Sequence, residues 1–576
     1  MTSVQTVTRK PRTFLPDDFV LTDWASIQPY FDELSARNIE SKHELEQWFL
    51  DRSEAESFLM EDMAWRYIQM TCHTAEEKYQ HAFQFFVQQI QPELAALDDA
   101  LNQKALASPF LDELTGGGFA ITVRSMRKAV EIFREENIPL QTQIQTEQTK
   151  YQALTGAMLV EINGENLTVP QATTLLQSTD RALREQVWTK LAERRLQDKD
   201  AINQVFDELV RLRHQVAVQA GFANFRDYMF AAMGRFDYTP TDCFRFHDAV
   251  QETVVPLVQE MAEERKKVLQ VDVLRPWDKK VDPQKRPALV AFESAADLIE
   301  KTAQCLEKLD VSFGNYIRIM REMGHFDVES RPNKAPGGYN YPMAEVGVPF
   351  IFMNATNSLR DLVTMVHEAG HAVHSFLTKD LPIQSFKSTP SEVAELASMS
   401  MELLSMDHWD VFFSDESACR RAKMEHLEDI LSVLPWIAVV DKFQHRLYEN
   451  PAQTQQERET LWTSLVQDFS DTVTDYSGLE EIRASEWHRQ LHIFEVPFYY
   501  IEYGMAQLGA IQVWRNYKNN PKKALEGYKR ALQLGYTATI GEIYAAADIK
   551  FDFSKDNIQE LMNFVNEELR KLRSNP

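Results

Sequence analysis

The chain has 576 residues, 44% hydrophobic and 26% charged, with a formal net charge of -25. This is a globular composition long enough for roughly three or four domains, and its acidity argues against nucleic acid or an anionic membrane as partner, since both recruit clustered Lys and Arg. Cys72, Cys243, Cys305 and Cys419 lie far apart with no C-x-x-C pair, which excludes a zinc ribbon or dithiol redox motif and fits a reducing compartment.

The first residues, MTSVQTVTRKPRTFLPDDF, hold no apolar run of the kind a secretory signal needs. Trp24, Ile27, Phe31 and Leu34 then mark one apolar helix face. Ser41-x-x-Glu44 and Thr74-x-x-Glu77 read as capping boxes opening two further helices. Gly116-Gly117-Gly118 interrupts the pattern before a helix expected from about Met126. Asn163-Gly164 between AMLVEI and NLTV predicts a hairpin near 157–169. Helices are expected again from about Ser178 to Ala220.

Residues 272–287, with three prolines, read as an irregular connection. The Gly337-Gly338 loop and a short strand near Pro349 to Asn354 follow. Helical patterns dominate from about Glu395 to the end. The most apolar stretch, Leu431 to Val440, is broken by Ser432 and Pro435 and is too short to span a bilayer. The expectation is a mostly α-helical cytoplasmic protein: an N-terminal helical domain over 1–200 and a second domain over 201–576.

Between the strand and those last helices lies His367-Glu368-Ala369-Gly370-His371, an H-E-x-x-H motif inside a helical run. Residues i and i+4 share a helix face, so both imidazoles point the same way, at a spacing that suits tetrahedral Zn²⁺. Glu368 lies one step round, placed to take a proton from water. The motif arises by chance roughly a few times in a hundred chains of this size, and a hydrolytic site still needs a third ligand.

Thr389-Pro390-Ser391-Glu392 reads as a helix start, with Thr389 as N-cap and Glu392 at N3. The helix it opens carries Glu392, Glu395, Met399, Glu402 and Met406 close to one face. It follows the H-E-x-x-H helix after about a dozen residues, and helices so joined usually pack together. Glu392 and Glu395 compete as third ligand. Spacing does not decide between them, because loop length is free. The capping role of Glu392 favours Glu395.

Several segments, in order from about residue 220 to 510, resemble the thimet oligopeptidase and oligoendopeptidase F family of zinc metallopeptidases. They are GFANFRDYMF, RFDYTPTDCFRFHDAV, LRPWD, APGGYN, PFIFMN, HEAGHAVHSF, SEVAELASMSMELL, LPWIAVVDKFQHRLYENP and HIFEVPFYYIEYGMAQLGA. IFEVP follows His492 where the thimet branch carries a Gly-rich run, so the likeness is to the bacterial oligoendopeptidase F branch. The resemblance implies two helical halves around a deep substrate channel, with a small β-sheet near the active site. It implies one Zn²⁺ per chain on His367, His371 and Glu395, with Glu368 as catalytic base. It also implies His492 and Tyr503 as transition-state contacts and Tyr500 as a substrate contact. The expected activity is hydrolysis of internal bonds in short unfolded peptides. The alternatives are a zinc aminopeptidase using Glu392, or a catalytically silent peptide-binding scaffold.

Weaker readings complete the expectation. A lone tyrosine on a helix is usually core, and Tyr499 is read so. His374 is core or an outer partner of the site. Asp361, Glu392 and Glu402 are candidates to orient the ligand imidazoles. Gly337 and Gly338 would let their loop close on a peptide, and the strand at Pro349 to Asn354 would accept that peptide as an added strand. His214, His325 and His445 lack a partner at ligand spacing and are read as structural.

Overall fold

The computed structural model describes residues 7–574 apart from Gly117, Pro332 and Pro336. Helices make up most of these residues, with five short strands. Chain contacts divide them into two compact units, each drawn from three stretches of sequence. The first comprises residues 1–133, 289–424 and 506–551; the second comprises 134–288, 425–505 and 552–576.

The first unit opens with the helix Trp24–Ala36, whose Asp23 side chain accepts from Ser26 N. Its apolar stripe buries Ile27, Phe31 and Leu34 against Trp48 and Phe49 of the helix Lys42–Cys72. Ser41 caps that second helix, as its position predicts. Thr74 caps nothing. Its amide donates to Asn333 O, and the next helix starts at Glu77 behind Glu76 with no side-chain cap. The helix expected from Met126 begins earlier, at Phe119, behind Gly118 with φ +90°. A β-carbon at Gly118 would lie 2.8 Å from Thr537 atoms, so this glycine serves close approach as well as the turn. Gly117, between its neighbours, lies outside the described residues.

Three strands form the sheet of this unit: Phe326–Glu329 (β3), Tyr339–Tyr341 (β4) and Phe350–Ala355 (β5), in the order β3-β5-β4. β5 pairs in parallel with β3 and antiparallel with β4. The apolar run VPFIFMN thus forms the central strand, with Phe350, Ile351, Phe352 and Met353 buried. This corrects one expectation. Both ladder edges of β5 are occupied over Phe350–Phe352, so it does not take an added peptide strand there.

In the second unit the hairpin forms as expected. Leu159–Ile162 (β1) and Glu165–Thr168 (β2) pair antiparallel around Asn163 (φ 53°) and Gly164 (φ 86°), the two left-handed positions of a type I′ turn. Val160 and Ile162 pack on Val187 and Leu191 of the helix Arg181–Gln197. The Pro-rich connection holds one short 3₁₀ turn, Pro276–Asp278. Asp278 is fully buried there, 2.8 Å from guanidinium nitrogens of both Arg181 and Arg184. Among the described residues, no helix is long and apolar enough to cross a membrane.

Candidate metal centre

The H-E-x-x-H motif lies in the helix Leu359–Thr378, hereafter the HEAGH helix. Ser358 and Asp361 form a capping box at its start: Ser358 Oγ accepts from Asp361 N, while Asp361 accepts from Ser358 N at 2.9 Å. The carboxylate of Asp361 also takes Thr356 N at 2.8 Å, so it serves the helix start and not a ligand imidazole. Leu362, Met365, Val366, Ala369, Val373 and Phe376 bury one face. That anchoring leaves His367 and His371, 18% and 20% exposed at the side chain, on the remaining face. Their ring planes stand at 84° with centroids 5.0 Å apart.

The helix Ser391–Ser405, the SEVAEL helix, packs directly against it. A β-carbon at Gly370 would sit 2.6 Å from Ser398 Cα and 2.7 Å from Ala397 O. Real β-carbons do not come so close to backbone, so glycine at the fourth position of the motif permits the approach. Tyr528 Oη donates to Ala397 O at 2.7 Å and Tyr544 Oη to Glu392 O at 3.1 Å, fixing the SEVAEL helix from its other side. Neither tyrosine was singled out by sequence, because no local pattern ties them to a helix more than a hundred residues away.

The start of the SEVAEL helix differs from expectation. Its N-cap is Pro390, in extended conformation (ψ 152°), and no side chain caps it. Thr389 lies outside the helix, and Glu392 is 2% exposed rather than turned out to cap. The preference for Glu395 over Glu392 therefore finds no support in capping. Packing gives a different reason. Glu395 Oε2 lies 3.3 Å from His367 Nε2 and 3.7 Å from His371 Nε2. The three side chains bring their donor atoms within 4.8 Å of one another. Ligands about 2.0–2.1 Å from a tetrahedral Zn²⁺ lie on the order of 3.3 Å apart, so the spacing fits that ion.

Neighbouring groups prepare these donors. Glu402 Oε1 lies 2.6 Å from His367 Nδ1, which fixes the ring and leaves Nε2 on the side of Glu395. Ser398 Oγ donates to Glu395 Oε2 at 3.0 Å. Burial alone would lower the His367 pKa, but hydrogen bonds to Glu395 and Glu402 outweigh it and raise it well above the ordinary value. Burial carries His371 the other way, down to about 4, and leaves a neutral imidazole. Burial pushes Glu368 up to about 7; the His367 charge opposes this and the Glu395 and Glu402 carboxylates add to it. A carboxyl poised there suits proton transfer near neutrality. Asn340 Nδ2, on β4, donates to Glu368 O at 3.1 Å and ties the sheet to the motif.

His374 is 5% exposed, with its pKa pushed by burial down to about 3, which makes it a core residue. Gly337 (φ +96°) and Gly338 lead into β4; Asn354 Nδ2 donates to Gly337 O at 3.0 Å. His325 is structural, its Nδ1 3.0 Å from Val348 O.

The second unit gathers the other expected residues. His492 meets Tyr500 at a tilt (centroids 4.8 Å) and Tyr503 edge-on (5.9 Å), and Tyr499 closes on Tyr503 at 5.4 Å. Gln490 Nε2 lies 2.8 Å from His492 Nδ1. The preceding Phe498 has φ 69°, a conformation costly for a bulky side chain. Its amide donates to Gln444 Oε1 at 2.9 Å and its carbonyl accepts from buried Arg235, which also pairs with Glu502 at 2.8 Å. This backbone turn aims the tyrosine cluster and carries no sequence signal.

The chain is 24% identical over 404 residues to an oligoendopeptidase F homolog of Borreliella burgdorferi, covering 67% of this chain and 65% of that protein. It is 24% identical over 283 residues to oligopeptidase PepF of Bacillus subtilis, covering 49% of this chain and 42% of that protein. The match thus spans less than two thirds of the length of these curated relatives. Solved structures align more fully. PZ peptidase A with an inhibitor superposes with a TM-score of 0.88 at 25% identity, over 95% of this chain and 96% of that one. A structure assigned to oligoendopeptidase F gives 0.89 at 26% identity, over 95% and 97%. The N-terminal domain profile of M3 peptidases matches residues 14–133, and the profile of Peptidase family M3 matches residues 174–563, a stretch that includes the HEAGH helix, the SEVAEL helix and the tyrosine cluster. The chain belongs to peptidase family M3.

Proposed function

We propose that the protein is a zinc-dependent endopeptidase that cleaves internal bonds of short, unfolded peptides. One observation carries the reading: two imidazoles and one carboxylate, supplied by two packed helices, converge within 4.8 Å beside the buried Glu368. The ligand set would be His367, His371 and Glu395, holding one ion per chain. When bound, that ion supplies Lewis acidity and lowers the pKa of water toward about 7. Glu368 then takes the proton of the attacking water and returns it to the departing amine. His492 and Tyr503 donate hydrogen bonds to the oxyanion, and Tyr500 contacts the substrate; family likeness supports these three roles. The sheet edge for the peptide is the outer edge of β4, beside Gly337 and Gly338, since β5 is already paired on both sides. The names of the relatives support an endopeptidase acting on oligopeptides. Low cysteine usage supports a cytoplasmic setting.

The test combines metal and base. Chelation should abolish cleavage of an N-acetylated, C-amidated peptide, and Zn²⁺ should restore it. Glu368→Gln should lose at least about 10²-fold in kcat while keeping its metal. Cleavage that needs a free N-terminus would replace this reading with an aminopeptidase. A peptide bound but not cleaved by the metal-loaded wild type would replace it with a silent scaffold.

A further inference from the structure

The second unit contains another convergence of donor side chains, outside the proposed active site. Cys243 and His247 lie four apart on the helix Pro240–Thr253; Asp441 and His445 lie four apart on the helix Glu416–Glu449. Each pair shares a helix face, the same geometry that makes H-E-x-x-H a ligand motif. All four residues are 0% exposed. Donor atoms of Cys243, Asp441 and His445 lie within 4.8 Å of one another. His247 Nε2 is 2.8 Å from Asp441 Oδ2, and His445 Nε2 is 3.2 Å from the same oxygen.

Hydrogen bonding leaves this cluster incomplete. Among the described residues, His445 Nε2 makes no aligned hydrogen bond despite its 3.2 Å approach, and His445 Nδ1, His247 Nδ1 and Asp441 Oδ1 have no hydrogen-bond partner. Buried polar atoms without partners are few in folded proteins, and an ion is one established explanation. The 3.2 Å separation of His445 Nε2 and Asp441 Oδ2 is near the ligand-to-ligand edge of a tetrahedral site, on the order of 3.3 Å. Charge points the same way. A carboxylate charge in a dry core is costly unless a cation answers it. A divalent ion with one thiolate, one carboxylate and neutral imidazoles sums to zero.

We propose that Cys243, Asp441 and His445 bind a second, structural divalent ion of the Zn²⁺ class, with His247 Nε2–H orienting Asp441. Sulfur with imidazole selects Zn²⁺ over Mg²⁺ or Ca²⁺. Asp441 Oδ1, which accepts no hydrogen bond among the described residues, would complete the shell as a second carboxylate oxygen. The ion would staple the two helices where the His445 ring meets Phe244 (4.8 Å) and Phe498 (5.3 Å). Because Phe498 sets the backbone turn before Tyr499, the staple would also hold the tyrosine cluster in place. The proposal does not depend on the catalytic reading, since the two donor sets share no residue.

Sulfur ligation gives a direct test, because the His367, His371 and Glu395 set contains none. Protein produced in cobalt-supplemented medium should show a near-ultraviolet sulfur-to-cobalt charge-transfer band. The band should vanish in Cys243→Ser and persist in Glu395→Ala. By metal analysis each of these variants should lose one equivalent relative to the wild type. If Cys243→Ser does not fold, the wild-type cobalt spectrum decides alone. A cobalt-loaded wild type with no such band would overturn the proposal and leave the cluster as a hydrogen-bonded Asp–His network holding water. Persistence of the band in Cys243→Ser would overturn it equally.

Discussion

His367 Nδ1 and Glu402 Oε1 lie 2.6 Å apart, a hydrogen bond between the HEAGH and SEVAEL helices that fixes which imidazole nitrogen faces Glu395. The contact spans 35 positions of sequence and joins a ligand to the helix that supplies the third donor. Glu402→Ala should therefore lower metal affinity by roughly 10–100-fold, read by competition with a chromophoric chelator. Glu402→Gln keeps an acceptor but no charge and should fall between. Unchanged affinity in both variants would remove Glu402 from the site.

Gly370 is the point of closest approach between those helices. Gly370→Ala should destabilise the chelated protein by about 1–3 kcal/mol or more, since backbone at 2.6–2.7 Å must move. It should also weaken metal binding by separating the imidazoles from Glu395. Gly541, with nothing within 4 Å of its added β-carbon, is the control. Gly541→Ala should be neutral or stabilise the helix Ile540–Ala546 by about 0.5–1 kcal/mol. Equal melting temperatures for the two variants would contradict the packing argument.

Acid sensitivity should arise partly at His488. Burial, aided by the Lys199 and Arg458 charges, pushes its pKa down to about 3 from the ordinary 6.5. The unfolded chain takes up this proton near 6.5 and the folded chain only near 3, so the contribution to stability is full above 6.5 and is lost as pH falls toward 3. Between pH 7 and 4.5 this amounts to roughly 3 kcal/mol. Denaturation of His488→Gln should show a shallower pH dependence by that order. Parallel curves for variant and wild type would show that the imidazole is not the sensor.

Asp278 should be among the most sensitive polar positions. It is fully buried between Arg181 and Arg184, and also accepts from Arg275 N at 3.0 Å. Asp278→Asn leaves guanidinium charge uncompensated at a site where Arg184 is itself buried, and should cost about 3–5 kcal/mol in urea denaturation. A loss below about 1 kcal/mol would mean that water reaches the pair.

Much of this was legible in the chain because it depends on near neighbours. Asn163-Gly164 specifies its turn through the φ that these two residues tolerate, and the hairpin forms where the dipeptide lies. His367 and His371 share a face by helical pitch alone. What lay between helices was not legible. Spacing left Glu392 and Glu395 equal; the seating of Gly370 against Ser398 brings Glu395 to the imidazoles. β5 is central because β3 and β4 both pair with it, which the apolar run itself cannot specify. Asp441 lies four positions before His445 and was passed over in the sequence, while Cys243, the other donor beside them, stands about two hundred positions earlier. Local dihedral preference and capping act over a few residues and are written into the sequence, whereas the meeting of side chains from distant segments is decided only when packing removes every other arrangement.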